Sequence, residues 1–263
     1  MLQILKLGGS VITEKDRHTT AREDVIRRLV KEIATAKKEG KFKLILVNGA
    51  GSFGHIPVTE YGLKEGIRDE RTKLGFTMVH KYVEDLNRII WNSLHEEGVT
   101  ALPLHPASFI VQEDWKIVKF DTEIIEKLLE MDIVPLLYGD VIVDRRHGCS
   151  IISGDDIVPF LAKKLGAQKI LMGTNTDGIY DKNPHLFPDA KLIPEINNEN
   201  YENVLKGLDG SSKTDVTGGM REKVRKLIER TKGIECIIYN AEREGLTKRA
   251  LLGERVGTRL FIS

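Results

Sequence analysis

Short apolar runs alternate along this chain with stretches of helical period, a pattern that predicts βαβ units around a largely parallel sheet. The first run, LQILKL at 2–7, reads as a strand. Over about 22–38, Ile26, Leu29, Val30, Ile33 and Ala34 recur at i, i+3, i+4, i+7 and i+8, one face of a helix that Gly40 closes. A second strand at about 43–47 follows, and a long helical pattern covers about 72–96, interrupted near Gly75 and stopped at Gly98. Short strands are predicted between about 99 and 120, with QEDW as a hairpin turn. A helix near 121–131, a strand at 133–138 and a hairpin at 141–152 turning at Arg146-His147-Gly148 come next. A helix at about 155–165 leads into a strand at 169–173. The last third is looser: a polar stretch at 181–200, a helix at about 219–232 and strands near 235–239 and 257–262. There is no internal repeat, and a soft boundary falls near 165.

Composition narrows the class. At 263 residues, 41% hydrophobic and 30% charged, the chain can bury a sizeable core as an ordinary globule. Lys and Arg total 40 against 39 Asp and Glu, so nothing global draws a nucleic acid and any anion site is local. Cys149 and Cys236 lack C-x-x-C spacing, which argues against a disulfide framework or zinc site and for a reducing compartment. No apolar run reaches 18 residues and the start MLQILKLGGS does not read as a signal peptide, so the expected location is the cytosol, without a membrane partner.

The candidate chemistry lies in loops that follow strands. Lys6-Leu7-Gly8-Gly9-Ser10, with Lys15 beyond, sets backbone N–H groups beside positive charge, a combination that can cradle a polyphosphate. VNGAGSFGH carries Gly49, Gly51 and Gly54 at G-x-G-x-x-G spacing and ends at His55. A dinucleotide fingerprint requires a helix straight after the glycines, and Pro57, Gly62 and Gly66 interrupt one. A P-loop requires Lys-Ser/Thr where His55-Ile56 stand. What survives is a glycine anion nest ending in a histidine. Tyr138-Gly139-Asp140 and Ser153-Gly154-Asp155-Asp156 offer a backbone donor at Gly154 and acids able to orient a lysine or a solvated metal. TNTDGIY at 174–180 brings Asp177, and TGGM at 217–220 with Lys223 repeats the pairing of glycines with a lysine. Each loop alone also fits an ordinary turn or helix start. Together they gather glycine backbone, Lys6, Lys15, Lys223 and His55 at strand C-terminal ends, where open α/β sheets bind ligands.

The run KLGGS, NGAGSFG, SGDD, TNTDGIY with KNP, and DVTGGM with Lys223 resembles the amino acid kinase family over the whole chain, and GSFGH with Lys15 resembles its isopentenyl phosphate kinase branch. The resemblance implies a single domain over 1–263, a three-layer α/β/α sandwich around an open, mainly parallel sheet. It further implies an acceptor-binding lobe at about 1–165, a nucleotide-binding lobe at about 166–263, and a homodimer. The implied reaction is ATP-dependent phosphorylation of isopentenyl phosphate, a prenyl monophosphate, in isoprenoid biosynthesis. A fosfomycin-type or other small-molecule kinase of the same fold, such as a kinase of a carboxylate, and a non-catalytic nucleotide-sensing module are the alternatives. Carried over residue by residue, Lys6, Lys15 and His55 are the implied catalytic set. Lys6, Gly8, Gly9, Ser10, Gly51, Asp177, Gly218 and Lys223 fall to ATP, with Mg²⁺ carried on the nucleotide. Ala50, Gly51, Gly54, His55 and Gly154 fall to the acceptor phosphate, and Phe76, Val79, Val141 and Ile151 to its apolar tail. Asn48 and Asn175 stand where the family commonly has histidine and aspartate.

Overall fold

Most of the apolar runs become strands of one sheet buried on both faces, which is why they read as continuous rather than alternating. In the computed structural model the described residues are 1–182, 184, 187–209 and 219–263, with side chains described for these apart from 209 and 219–223. The first half runs β1 (Leu2–Leu7), α1 (Gly9–Ile12), α2 (Glu23–Glu39), β2 (Lys43–Asn48), α3 (His55–Tyr61), α4 (Glu70–Glu96), β3 (Ala101–Pro103), β4 (Ile110–Glu113), β5 (Lys116–Phe120) and α5 (Glu123–Glu130). It continues through β6 (Val134–Tyr138), β7 (Asp140–Asp144), β8 (Gly148–Ile152), α6 (Gly154–Leu165), β9 (Lys169–Thr174), β10 (Glu195–Ile196), α7 (Tyr201–Asp209), α8 (Gly219–Thr231), β11 (Glu235–Asn240), α9 (Leu246–Leu251) and β12 (Thr258–Leu260).

The eight-stranded sheet has the order β10-β12-β11-β9-β1-β2-β6-β3. Every neighbouring pair is parallel except β11 with β12. Alternate residues of β1 feed opposite cores: Leu5 and Leu7 pack with α2, α4 and α9, whereas Ile4 packs with α5, α6 and α8. The molecule is therefore an α/β/α sandwich, as the family resemblance implies. Each fully buried Ile or Leu in these layers contributes roughly 2 kcal/mol of hydrophobic stabilisation. Both cysteines are buried and free, and burial pushes the Cys149 thiol up to about 11.

Several expectations change. α4 runs unbroken through Gly75, because that position packs against the Tyr61 ring, where a Cβ would approach Tyr61 Cβ to 2.3 Å. Its start is fixed by Asp69, whose carboxylate accepts from the Thr72 amide at 2.8 Å and is held below the usual carboxylate range by that bond. A helix, α3, does follow the second glycine loop. Pro57 sits in its first turn, where the N–H has no intrahelical acceptor, and Gly62 ends it in the left-handed region. Gly40 caps α2 in extended geometry, its N–H bonding Ala36 O. The predicted hairpin and the strands before it form a separate sheet, β5-β4-β7-β8, and α7 occupies a segment with no predicted element.

Candidate active site

β1 lies between β2, which follows it in sequence, and β9, which comes after the second sheet, so the crevice at its C-terminal end is a topological switch point. Four strand ends meet there. The Gly8 amide donates to Gly173 O at 2.9 Å, Gly49 to Leu7 O at 2.8 Å, and Gly139 to Asn48 O at 3.1 Å. The loops pack backbone on backbone: a Cβ on Gly9 would lie 2.4 Å from Gly51 N. Gly51 itself has φ 52°, and a Cβ there would sit 2.2 Å from Thr13 Oγ1. Thr13 joins the two loops, donating to Gly9 O at 2.8 Å and accepting from the Ser52 amide at 3.1 Å. Among the described residues, the amides of Gly9, Ser10, Ala50, Gly51 and Gly154 donate to no carbonyl or side chain outside their own elements. These amides are available to anionic oxygens.

The cation at the centre is Lys6. Its side chain is 12% exposed, runs along Gly154, where a Cβ would meet Lys6 Cε at 3.2 Å, and bonds Asp155 Oδ1 at 2.7 Å. The neighbouring Asp156 accepts from Ser153 and pairs with Arg230 of α8 at 2.7 Å, so the SGDD turn links β1 to α8. Asn175 is exposed and makes no side-chain hydrogen bond among the described residues; the lysine-orienting acid here is Asp155.

The structure gathers Lys6, Gly8, Gly9, Gly51 and Gly154 with Asp155. Ser10 is exposed on α1, and Lys15 is exposed at the tip of a turn closed by the Glu14 amide on Thr20 O at 3.0 Å. Ala50 and Gly54 flank the short turn ahead of α3, and a Cβ on Gly54 would lie 3.5 Å from Val83 of α4. His55 is exposed at the first position of α3, and among the described residues its ring makes no hydrogen bond. Val79 and Val141 are buried in one cluster with Phe53, Val83 and Tyr138, against which Phe76 packs. Ile151 stands directly opposite Val141 across the β7–β8 ladder, on the same face but exposed, and also lines a groove with Ile117, Pro159 and Phe160. Asp177 lies beyond the end of β9, where Asn240 at 2.9 Å, Arg243 at 2.6 Å and the Tyr180 hydroxyl at 3.2 Å satisfy its carboxylate. Gly218 and the side chain of Lys223 lie outside the described residues.

Sequence reasoning missed the groups that hold these loops. Thr13 is one; its sole sequence signal is its place one turn after Gly9. Asn87 of α4 is another, donating to Asn48 Oδ1 at 2.8 Å inside the core. Asn48 therefore serves as a buried clamp between β2 and α4, consistent with its amide side chain.

The loop-on-loop packing makes a sharp prediction. Gly9→Ala forces backbone apart, costs about 2 kcal/mol of stability and lowers turnover at least about a hundredfold by spreading the amide cradle. Thermal melts with single-turnover assays check it; a variant with native melting and native turnover contradicts the packing described.

Known proteins resemble this chain closely. The amino acid kinase family model matches residues 1–240. The isopentenyl phosphate kinase of Methanothermobacter thermautotrophicus is 40% identical over 98% of both chains, and that of Methanocaldococcus jannaschii 37% identical over 100% of both. A solved isopentenyl phosphate kinase structure superposes with a TM-score of 0.83 at 36% identity, covering 98% of this chain and 100% of the other.

Proposed function

The chain belongs to the amino acid kinase family, and we propose that it transfers the γ-phosphoryl group of ATP to isopentenyl phosphate, giving isopentenyl diphosphate and ADP. The observation that carries this reading is the Lys6 ammonium stretched along Gly154 where two glycine loops converge, in a chain so similar to named isopentenyl phosphate kinases.

Phosphoryl transfer passes through a loose transition state whose charge spreads over the moving oxygens, so catalysis is chiefly alignment and charge stabilisation. A phosphate monoester has a second pKa of about 6 and arrives as a dianion near neutrality, so no base is required. The problem is to bring two polyanions together. Gly9 and Ser10 offer amides to the ATP phosphates, while Ala50, Gly51 and Gly154 offer them to the acceptor and the transferring group; the amides of Gly8 and Gly54 are bonded to Gly173 O and Gly51 O, so these two glycines shape the loops instead. Lys6 and Lys15 stabilise the transferred group, and His55 donates to the acceptor phosphate. Phe76, Val79 and Val141 form the slot for the five-carbon tail; Ile151 borders the hairpin side. Lys223, Gly218 and Asp177 belong to the nucleotide half, 166–263, and the acceptor half is 1–165. The strand order supports that division, since β1, β2, β6 and β3 lie on one side of the switch point and β9, β11, β12 and β10 on the other.

Mg²⁺ enters with ATP and screens its phosphates when bound. The site's acids support this: Asp155, Asp156 and Asp177 are each paired with a cationic side chain, leaving metal coordination to nucleotide oxygens and water.

ADP release measured with isopentenyl phosphate, isopentenol, fosfomycin, glutamate and UMP tests the reading. Turnover is expected with isopentenyl phosphate and not with the alcohol that carries the same tail. Turnover with isopentenol, or faster turnover with fosfomycin, glutamate or UMP, overturns it.

A further inference from the structure

The slot just assigned has a polar seam. His80 follows Val79 on α4, one turn from Phe76, and Asp140 precedes Val141 on β7. His80 Nδ1 lies 3.0 Å from both oxygens of the Asp140 carboxylate, which is wholly buried. That carboxylate also accepts from the Val141 amide at 2.8 Å and the Ala107 amide at 3.2 Å, so its charge is satisfied by backbone on one side and by the imidazole on the other. The His105 ring stands edge-on to His80 at 5.9 Å, with its Nδ1 2.6 Å from the Tyr138 hydroxyl. Burial, with Asp140 and Glu84 nearby, pushes the Tyr138 phenol well up, so its hydroxyl stays neutral in this hydrogen bond.

We propose that His80 and Asp140 are a positioning pair that holds α4 against β7 and so sets the width of the acceptor's apolar slot. The proposal rests on the reading that Phe76, Val79 and Val141 line that slot. Two walls on different elements gain from a directional fastener, because a satisfied buried hydrogen bond fixes their relative position more uniquely than apolar packing alone. Among the described residues, the hydrogen bond joining α4 to β7 is this one. The fastener also lies where it reaches the phosphate end. Gly139, next to Asp140, donates to Asn48 O at 3.1 Å, and a Cβ on it would sit 3.4 Å from Gly154 N. Loosening the pair shifts the slot relative to the acceptor phosphate cradle and leaves Lys6 and the nucleotide half in place. The expected signature is weaker acceptor binding with little change in turnover.

The pair also carries a pH dependence. The titratable groups around His80 are Asp140 from β7, His105 from the loop after β3, and Glu84 on α4 itself, with Tyr138 of β6 bonded to His105 behind them. The Asp140 hydrogen bond raises the His80 pKa above its ordinary 6.5, burial opposes the rise, and the Asp140 and Glu84 charges assist it. A raised histidine pKa means that the charged pair is complete below the ordinary value and is lost as pH climbs through the raised one. The KM for the acceptor therefore rises with pH over that interval, on the alkaline side of the substrate's own ionisation at about 6.

Steady-state kinetics of the full chain with isopentenyl phosphate and ATP, across pH 6 to 9, test the proposal with His80→Ala, His80→Gln and Asp140→Asn. His80→Ala raises KM for isopentenyl phosphate about tenfold while turnover and KM for ATP stay within about twofold. His80→Gln, which keeps an N–H donor to the carboxylate, recovers most of the loss and flattens the pH dependence of KM. In Asp140→Asn the His80 ring titrates at lower pH by NMR and KM rises as in His80→Ala. An unchanged acceptor KM in His80→Ala, a fall in turnover at constant KM, or a His80→Gln variant that keeps the native pH profile overturns the proposal. Since His80→Gln disturbs packing least, it decides the matter should Asp140→Asn fail to fold. A native protein that turns over isopentenyl phosphate while the variants keep its KM defeats the positioning pair alone; a native protein inert toward that substrate defeats the functional reading as well.

Discussion

Replacing Lys6 with alanine lowers turnover about a thousandfold while the fold survives. The magnitude follows from what the side chain does: a preorganised cation in a partly dehydrated crevice is worth roughly two to three powers of ten in rate, and charge-neutralising groups in phosphoryl transfer reach higher. Lys6 is only 12% exposed, and its ammonium is held by Asp155 and by its path along Gly154 rather than by solvent. Truncation removes the cation and leaves the Asp155 carboxylate facing two incoming polyanions, so repulsion adds to the lost attraction. Lys6→Arg does not restore the rate, because the side chain runs so near Gly154 that a Cβ there would lie 3.2 Å from Lys6 Cε, a path too narrow for a broad guanidinium. Rapid-quench turnover at saturating ATP, with a melting curve alongside, checks this; a rate within threefold of native in a folded Lys6→Ala variant contradicts it.

His55→Ala is the second large effect, a fall of about a hundredfold in kcat/KM for isopentenyl phosphate. His55 opens α3 directly after Gly54, its ring is exposed, and among the described residues it bonds to no other group. A histidine in a core role would be packed or paired, whereas this ring is exposed beside the second glycine loop. In the proposed reaction the acceptor arrives deprotonated, so the role proposed for the ring is donation rather than proton removal. His55→Gln, which retains a donor at comparable reach, keeps part of the efficiency. Equal losses in the Ala and Gln variants would point to proton transfer instead, and no loss in either would remove His55 from the site.

The large sheet was legible because its strands are buried on both faces and its helices carry strong 3.6-residue periodicity, so burial and pattern agree. α3 was not, because Pro57 and Gly62 read as breakers, although one occupies a first turn and the other a left-handed cap. The second sheet was hidden for a different reason. Its strands alternate irregularly between buried and exposed positions, and only tertiary packing separates them from the main sheet. At the site, glycines and lysines announced themselves by local spacing. Thr13, Asn87 and the His80–Asp140 pair did not: Ser52, Asn48 and Asp140 lie 39, 39 and 60 residues from their partners. Contacts at such separations leave no periodic trace in one sequence.

The central claim is that the glycine–histidine loop receives a phosphate acceptor carrying a short apolar tail. ³¹P NMR of the native protein with ATP and Mg²⁺ against isopentenyl phosphate, dimethylallyl phosphate, fosfomycin, acetylglutamate and UMP tests it most directly. The account predicts that the monophosphate signal of isopentenyl phosphate is replaced by the paired signals of a diphosphate ester in step with ADP. A diphosphate ester absent from that reaction, with new phosphoryl signals in the fosfomycin, acetylglutamate or UMP samples or ADP and inorganic phosphate alone, would contradict it.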